Sequence, residues 1–260
     1  MKLSYRLDGP VSAPTLVLSN SLGTTVHLWD TQVRALVPHF RVLRYDHPGH
    51  GASEVPAGPV TMGALTHDLV ELLDALELER VSFCGLSLGG MVGMTLALEA
   101  PERIDRLVLC CTAAYLGPPD GWQERARVVR ERGTAAVAET VVGRWFTAGF
   151  RTAQPATVSH FREMLEATPS EGYAACCEAI ARWDARDAVH AIRAPTLVIA
   201  GAADQAVTAE DAAFLAQAIA GAEIEVLPEA AHLANVEQPE LFTQALLRHL
   251  GVRPNSEEAA

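Results

Sequence analysis

The pentapeptide Gly85-Leu86-Ser87-Leu88-Gly89 follows an apolar run, Val81-Ser82-Phe83-Cys84, and precedes a run of small and apolar residues, Gly90-Met91-Val92-Gly93-Met94-Thr95-Leu96-Ala97-Leu98. The first run reads as a buried strand and the second as a buried helix, which leaves Ser87 in a sharp strand-to-helix turn. Such a turn holds its central residue in a strained backbone conformation. It also brings strand and helix so close that glycines must flank it, because a Cβ there would collide. A hydroxyl in this position stands at the C-terminal edge of a sheet, above a helix N-terminus, and Ser87 is therefore a candidate nucleophile. The five residues recur by chance in unrelated chains; the strand before and the helix after give them meaning.

The rest of the chain extends the pattern. Strand-like stretches at Thr15-Leu16-Val17-Leu18-Ser19, Arg41-Val42-Leu43-Arg44-Tyr45 and 104–110 alternate with helix-like stretches at 28–38 and 61–76, the second with apolar residues at 62, 65, 69, 72, 73 and 76. Between Tyr115 and His190 no clear strand is visible, and Ala-, Glu- and Arg-rich helical stretches run between breaks at Gly117-Pro118-Pro119 and Thr168-Pro169-Ser170. Alternation resumes with a strand at 195–200, a helix at 209–220, a strand at 223–227 and an amphipathic helix at 238–250. This predicts an α/β fold with a mostly parallel central sheet flanked by helices. The expected division is a core formed by 1–114 and 191–253, a helical cap inserted at 115–190, and a flexible tail at 254–260.

Composition excludes several classes. A net charge of -12 speaks against a nucleic-acid or anionic-membrane partner, since both demand a basic face. No segment reaches the length of a membrane span, and Met1-Lys2-Leu3-Ser4-Tyr5 lacks the layout of a signal peptide, so a cytoplasmic protein is expected. The five cysteines, at 84, 110, 111, 176 and 177, form no C-x-x-C pair; they are expected to be reduced and half-buried, with no metal site. The basic residues are nineteen arginines and the single Lys2, so any interior anion site must rest on arginine. Oligomeric state cannot be read from one sequence.

A serine nucleophile needs a base within hydrogen-bond reach and a third group to orient that base. Of the histidines that follow Ser87, namely 160, 190, 232 and 249, His232 lies in a short loop, Pro228-Glu229-Ala230-Ala231-His232, after a strand and before the last helix. There it can reach the sheet edge. His249, late in an amphipathic helix, reads as a surface residue at the helix's negative end. Asp204 follows the strand at 195–200 through the turn Gly201-Ala202-Ala203 and is the candidate orienting acid; Asp184 and Asp187, in the helical insertion, are weaker rivals. The oxyanion of an acyl-transfer intermediate needs backbone N–H donors, for which Leu88, immediately after the serine, and Leu22, in the turn Asn20-Ser21-Leu22-Gly23, are the candidates.

With these parts placed, the chain resembles the α/β-hydrolase superfamily over nearly its whole length, and Asp46-His47-Pro48-Gly49-His50-Gly51-Ala52-Ser53 looks like that superfamily's D-x-x-G-x-G-x-S turn. Within it the chain is similar to the 3-oxoadipate enol-lactonases. The residues that carry this likeness are Leu18-Ser19-Asn20-Ser21-Leu22-Gly23 with Trp29-Asp30, Cys84 through Met91, Gly143-Arg144-Trp145-Phe146-Thr147 and Tyr173-Ala174-Ala175-Cys176-Cys177-Glu178-Ala179-Ile180. The family usually carries Arg where this chain has Pro48. The resemblance implies opening of a small anionic lactone in aromatic-compound catabolism by a Ser87–His232–Asp204 triad, with no metal or organic cofactor. It also implies a cation for the substrate's carboxylate, for which Arg144 beside Trp145 is the first candidate and Arg182 and Arg186 are weaker ones. The same triad would serve a general carboxylesterase or perhydrolase, or a carbon–carbon bond hydrolase, and a non-enzymatic ligand-binding protein could keep it for shape.

Overall fold

The computed structural model describes residues 1–252; the expected tail and the last expected core residue, 253, lie outside the described residues. Among the described residues seven strands form one sheet: β1 (Tyr5–Asp8), β2 (Thr15–Ser19), β3 (Arg41–Tyr45), β4 (Val81–Leu86), β5 (Ile104–Cys110), β6 (Thr196–Gly201) and β7 (Glu223–Leu227). Their spatial order is β1-β3-β2-β4-β5-β6-β7, and every neighbour pair is parallel except β1 with β3. The central strands are buried along their length, as unbroken apolar runs covered on both faces must be.

β1 has no counterpart among the strands read from sequence. Tyr5-Arg6-Leu7-Asp8 alternates apolar with polar residues over only four positions, too short a stretch to signal a strand, and it is held by pairing with β3 and by the buried Arg44 guanidinium, which donates to Asp8 at 2.7 Å. Arg44 also reaches Asp30 at the start of α1 (Asp30–Leu36), and a single 3-10 turn at Val26–Trp29 precedes that helix where one continuous helix from 28 was expected.

β2 connects through α1 to β3 on one side, whereas β4 connects through α3 (Leu88–Glu99) to β5 on the other. Right-handed crossovers therefore place α1 and α3 on opposite faces. α2 (Met62–Ala75), capped by the Thr61 hydroxyl, packs with α3, and α11 (Pro239–His249) packs with α1. The direction of winding reverses between β2 and β4, and a sheet of this kind opens a crevice at the carboxyl ends of the two strands where it reverses. The turn after β2 is 20–23 and the turn after β4 holds Ser87.

Between β5 and β6 the described chain is helical, with α4 (Pro119–Arg132), α5 (Ala135–Trp145), α6 (Ala148–Ala153), α7 (Pro155–Glu166) and α8 (Ser170–Arg182). α8 is buried over most of its length and packs along α4. The two ends of this segment meet: Tyr115 and Asp184 form an isolated antiparallel bridge, and the Ala185 N–H donates to the Ala114 carbonyl at 2.8 Å. The segment also touches the core at Gly49 and Gly172, where a Cβ on Gly49 would lie 2.3 Å from the Gly172 Cα; only two glycines permit that approach. α9 (Ala209–Ala218) and the short α10 (Ala234–Glu237) complete the described helices. All five cysteines are free and fully buried, deeper than the half-burial expected, because β4, β5 and α8 are interior elements.

Candidate active site

Ser87 sits at φ 56°, ψ -112°, a left-handed conformation costly for any residue with a side chain. Its backbone is tied on both sides: its N–H donates to the Cys110 carbonyl at 2.9 Å, and its carbonyl accepts the Thr112 hydroxyl at 2.8 Å and the Met91 N–H at 3.1 Å. The flanking glycines answer to contact. A Cβ on Gly85 would lie 2.2 Å from the Gly89 carbonyl oxygen, and one on Gly89 would lie 2.3 Å from the Ser19 carbonyl oxygen.

The turn after β2 is fastened to this elbow. The Asn20 carbonyl accepts the Gly89 N–H at 3.0 Å and the His47 Nε2–H at 2.9 Å; the Asn20 side chain donates to the Tyr45 carbonyl and accepts the Trp29 indole N–H. The Gly23 N–H donates to His50 Nε2 at 3.0 Å, which leaves His50 Nδ1–H to donate to the Pro48 carbonyl at 3.1 Å. His50 is therefore neutral with its proton on Nδ1, and His47 carries a proton on Nε2 while its buried Nδ1 has no partner among the described residues. Burial, and the neighbouring His50, lower the His47 pKa to about 3, while burial lowers that of His50 to about 4. With Gly23 and Gly89 engaged, the N–H groups of Leu22 and Leu88 have no acceptor among the described residues. Unpaired backbone donors beside a strained serine are the kind of group an oxyanion requires.

His232 Nδ1 lies 2.8 Å from Asp204 Oδ2, and both side chains are almost wholly buried. Asp204 Oδ1 accepts the N–H groups of Ala206 and Val207 at 2.7 and 3.0 Å, so the turn after β6 fixes the carboxylate as a hydrogen-bond acceptor for the ring. The loop bearing His232 is anchored by Glu237, which accepts the Ala231 N–H and the hydroxyl and N–H of Thr147; the Leu233 N–H donates to the Trp145 carbonyl at 3.0 Å. The rival groups lie elsewhere. His160 and His190 are exposed, Asp184 is paired with Arg186, and His249, half-buried rather than at the surface, binds the Pro195 carbonyl.

One pocket is lined by Ser87, His232, Ser21 and Leu22 from the core side and by Trp122, Arg125, Arg144, Trp145 and Tyr173 from the helices between β5 and β6. Arg144 is exposed at the end of α5 and Trp145 is buried beside it. Arg182 and Arg186 are outside the pocket, engaged with Glu178 and Asp184. Sequence reasoning did not single out Arg125, nor His47 and His50 as the props of the turn. Arg125 is one of several arginines on α4, and only the fold shows which of them faces inward. Among the described residues no cluster of His, Cys, Asp or Glu could hold a metal ion, and no helix is long and apolar enough to cross a membrane.

A family model for the alpha/beta hydrolase fold matches residues 14–239. The chain belongs to the α/β-hydrolase family. It is 42% identical over 244 residues to 3-oxoadipate enol-lactonase 2 of Acinetobacter baylyi, covering 94% of this chain and 91% of that protein. The crystal structure of the enol-lactonase from Burkholderia xenovorans LB400 superimposes with a TM-score of 0.94 at 46% identity, covering 96% of both chains. A hydrolase from Pseudomonas aeruginosa PA01 matches with a TM-score of 0.93 at 50% identity, covering 96% of this chain and 94% of the other. The relatives and the fold make this chain an ester-hydrolysing enzyme of the family, and its enol-lactonase homologues support lactone hydrolysis.

Proposed function

We propose that the chain hydrolyses 3-oxoadipate enol-lactone to 3-oxoadipate, a step of aromatic-compound catabolism, through an acyl-enzyme on Ser87. The observation that carries this reading is the pocket itself. Candidate acyl-transfer groups line it together with two arginines that have no carboxylate partner among the described residues, which suits a small ester bearing a negative charge. The 42% identity to a 3-oxoadipate enol-lactonase supports this choice of ester.

In this mechanism His232 takes the Ser87 proton as the oxygen attacks the lactone carbonyl, and Asp204 stabilises the imidazolium. The N–H groups of Leu22 and Leu88 hold the oxyanion. Collapse expels the ring oxygen as an enol, a better leaving group than an alkoxide, and its conversion to a ketone opposes reclosure. His232 then activates water against the acyl-enzyme. No step calls for a cofactor. Trp145 walls the pocket, and Arg144 contributes positive charge at its mouth. The helices of 115–190 act as a cap over a core of 1–114 and 191–252. Five thiols outside any disulfide suit a reducing compartment, and we place the enzyme in the cytoplasm.

The test follows ultraviolet loss of freshly generated enol-lactone beside p-nitrophenyl acetate, with wild type and Ser87→Ala. The expected kcat/KM for the lactone exceeds that for the ester by about a thousandfold, and the substitution lowers kcat by about 10⁶. Rapid ester cleavage with weak lactone turnover would replace the lactonase with a general esterase.

A further inference from the structure

α4 carries four arginines, and two of them show what the helix does with a cation facing outward. Arg127 is held between Glu124 and Glu131 at 2.7 to 2.8 Å, and Arg130 between Glu171 and Glu178. Arg125, half-buried and turned into the pocket, has no carboxylate partner among the described residues. Its guanidinium lies over the Trp122 ring, 4.5 Å from the centroid, and the Trp122 indole N–H is itself fixed on the Leu116 carbonyl at 2.7 Å. A planar cation backed by an aromatic face keeps its N–H edge free for an anion.

A second observation converges on the same spot. Tyr173 on α8 lines the pocket and is wholly buried, with its ring against Gly23 of the turn after β2; its hydroxyl has no hydrogen-bond partner within 3.5 Å among the described residues, although the Arg125 side chain comes near enough to act on it. A buried hydroxyl left unpaired is uncommon in a folded protein and calls for an explanation. Burial raises the phenol's pKa against the opposing influence of the nearby Arg125, which keeps the hydroxyl a donor at neutral pH.

We propose that Arg125 and the Tyr173 hydroxyl together form the clamp for the substrate's free carboxylate, with Trp122 holding the guanidinium in place. The lactone carbonyl then lies on the core side, between Leu22 and Leu88, while the carboxymethyl arm on the far side of the ring reaches the junction of α4 and α8. Arg144, exposed at the mouth, contributes charge without gripping. The clamp makes the enzyme selective for anionic acyl donors, and it rests on the lactonase reading only for the anion's name.

The experiment compares the enol-lactone with α-angelica lactone, which has the same unsaturated ring with a methyl group in place of the carboxymethyl arm. The ratio of the two kcat/KM values is expected to fall at least tenfold in Arg125→Met, mainly through KM for the anion, and about fivefold in Tyr173→Phe. A ratio within about twofold of wild type in Arg125→Met, or a larger selective loss in Arg144→Met, overturns the proposal. Tyr173→Phe lowering kcat equally on both lactones would make the phenol an oxyanion donor and remove it from the clamp. Inhibition of p-nitrophenyl acetate hydrolysis by butanoate against butanamide separates the clamp from the lactonase reading. Arg125→Met should weaken only butanoate, about tenfold, even if the lactone is no substrate, whereas equal inhibition of wild type and variant contradicts the clamp.

Discussion

In the proposed mechanism the oxyanion is met by main-chain groups of the core, whereas the rest of the substrate is met by side chains of the helices between β5 and β6. Leu22 and Leu88 offer backbone N–H groups whose neighbours are locked by Asn20, His47 and His50, three buried residues that contact no substrate in the proposed mechanism. The cap presents Arg125, Arg144, Trp122 and Tyr173 from three different helices, braced by stacking and by one another. Main-chain donors cannot be replaced by mutation but can be displaced as a unit, so the core side carries chemistry common to many ester hydrolases. Side chains on helices can be exchanged singly, and on the proposed reading those helices are where one substrate is told from another.

Three results would break or sharpen that contrast. The largest effect is expected on the core side. Asp204→Asn keeps the size of the side chain but places an amide where His232 needs an acceptor, and kcat on any ester should fall by about 10⁴ with KM little changed. Steady-state kinetics on anionic and neutral lactones check it, and a loss confined to the anionic one would put Asp204 in recognition instead of catalysis.

The second concerns the props beneath the turn. The unfolded chain's histidines take up protons near pH 6.5, while folded His47 and His50 resist until about 3 and 4. Stability is therefore full above pH 6.5 and lost as the pH falls, by about 2 kcal/mol for each ring between pH 6.5 and 4.5. Urea unfolding across that window should show His47→Gln losing about 2 kcal/mol less than wild type over the same range. Equal losses in the two proteins would mean that His47 is not buried neutral.

The smallest effect is expected at the rim. Arg144→Ala should raise KM for the anionic lactone about threefold at low salt and less in 0.5 M salt, about three times the usual ionic strength, as a solvent-screened charge does. A salt-independent rise would move Arg144 from the rim to the clamp.

Much of the fold was legible because β2, β4, β5 and β6 are interior strands that each carry a buried apolar stretch, whereas β1 is a four-residue edge strand with no buried residue to mark it. The elbow announced itself through the glycines that its contacts require, and Asp204 and His232 through their place after strands. Arg125 gave no comparable signal. Its sequence neighbours Arg127, Arg130 and Arg132 are the same residue type on the same helix, and the difference between a solvated cation and a pocket cation is the azimuth of one side chain relative to α8. The five cysteines likewise showed no depth in sequence, since burial depends on which elements end up inside.

The account turns on Ser87 as the nucleophile, and fluorophosphonate titration tests that most directly. Label is added in steps, bound label is mapped by peptide mass, and lactone hydrolysis is measured on each sample. The account predicts that activity declines in proportion to occupancy of Ser87 and vanishes at one label per chain. Label on another residue, or full occupancy of Ser87 with lactone hydrolysis intact, would contradict it.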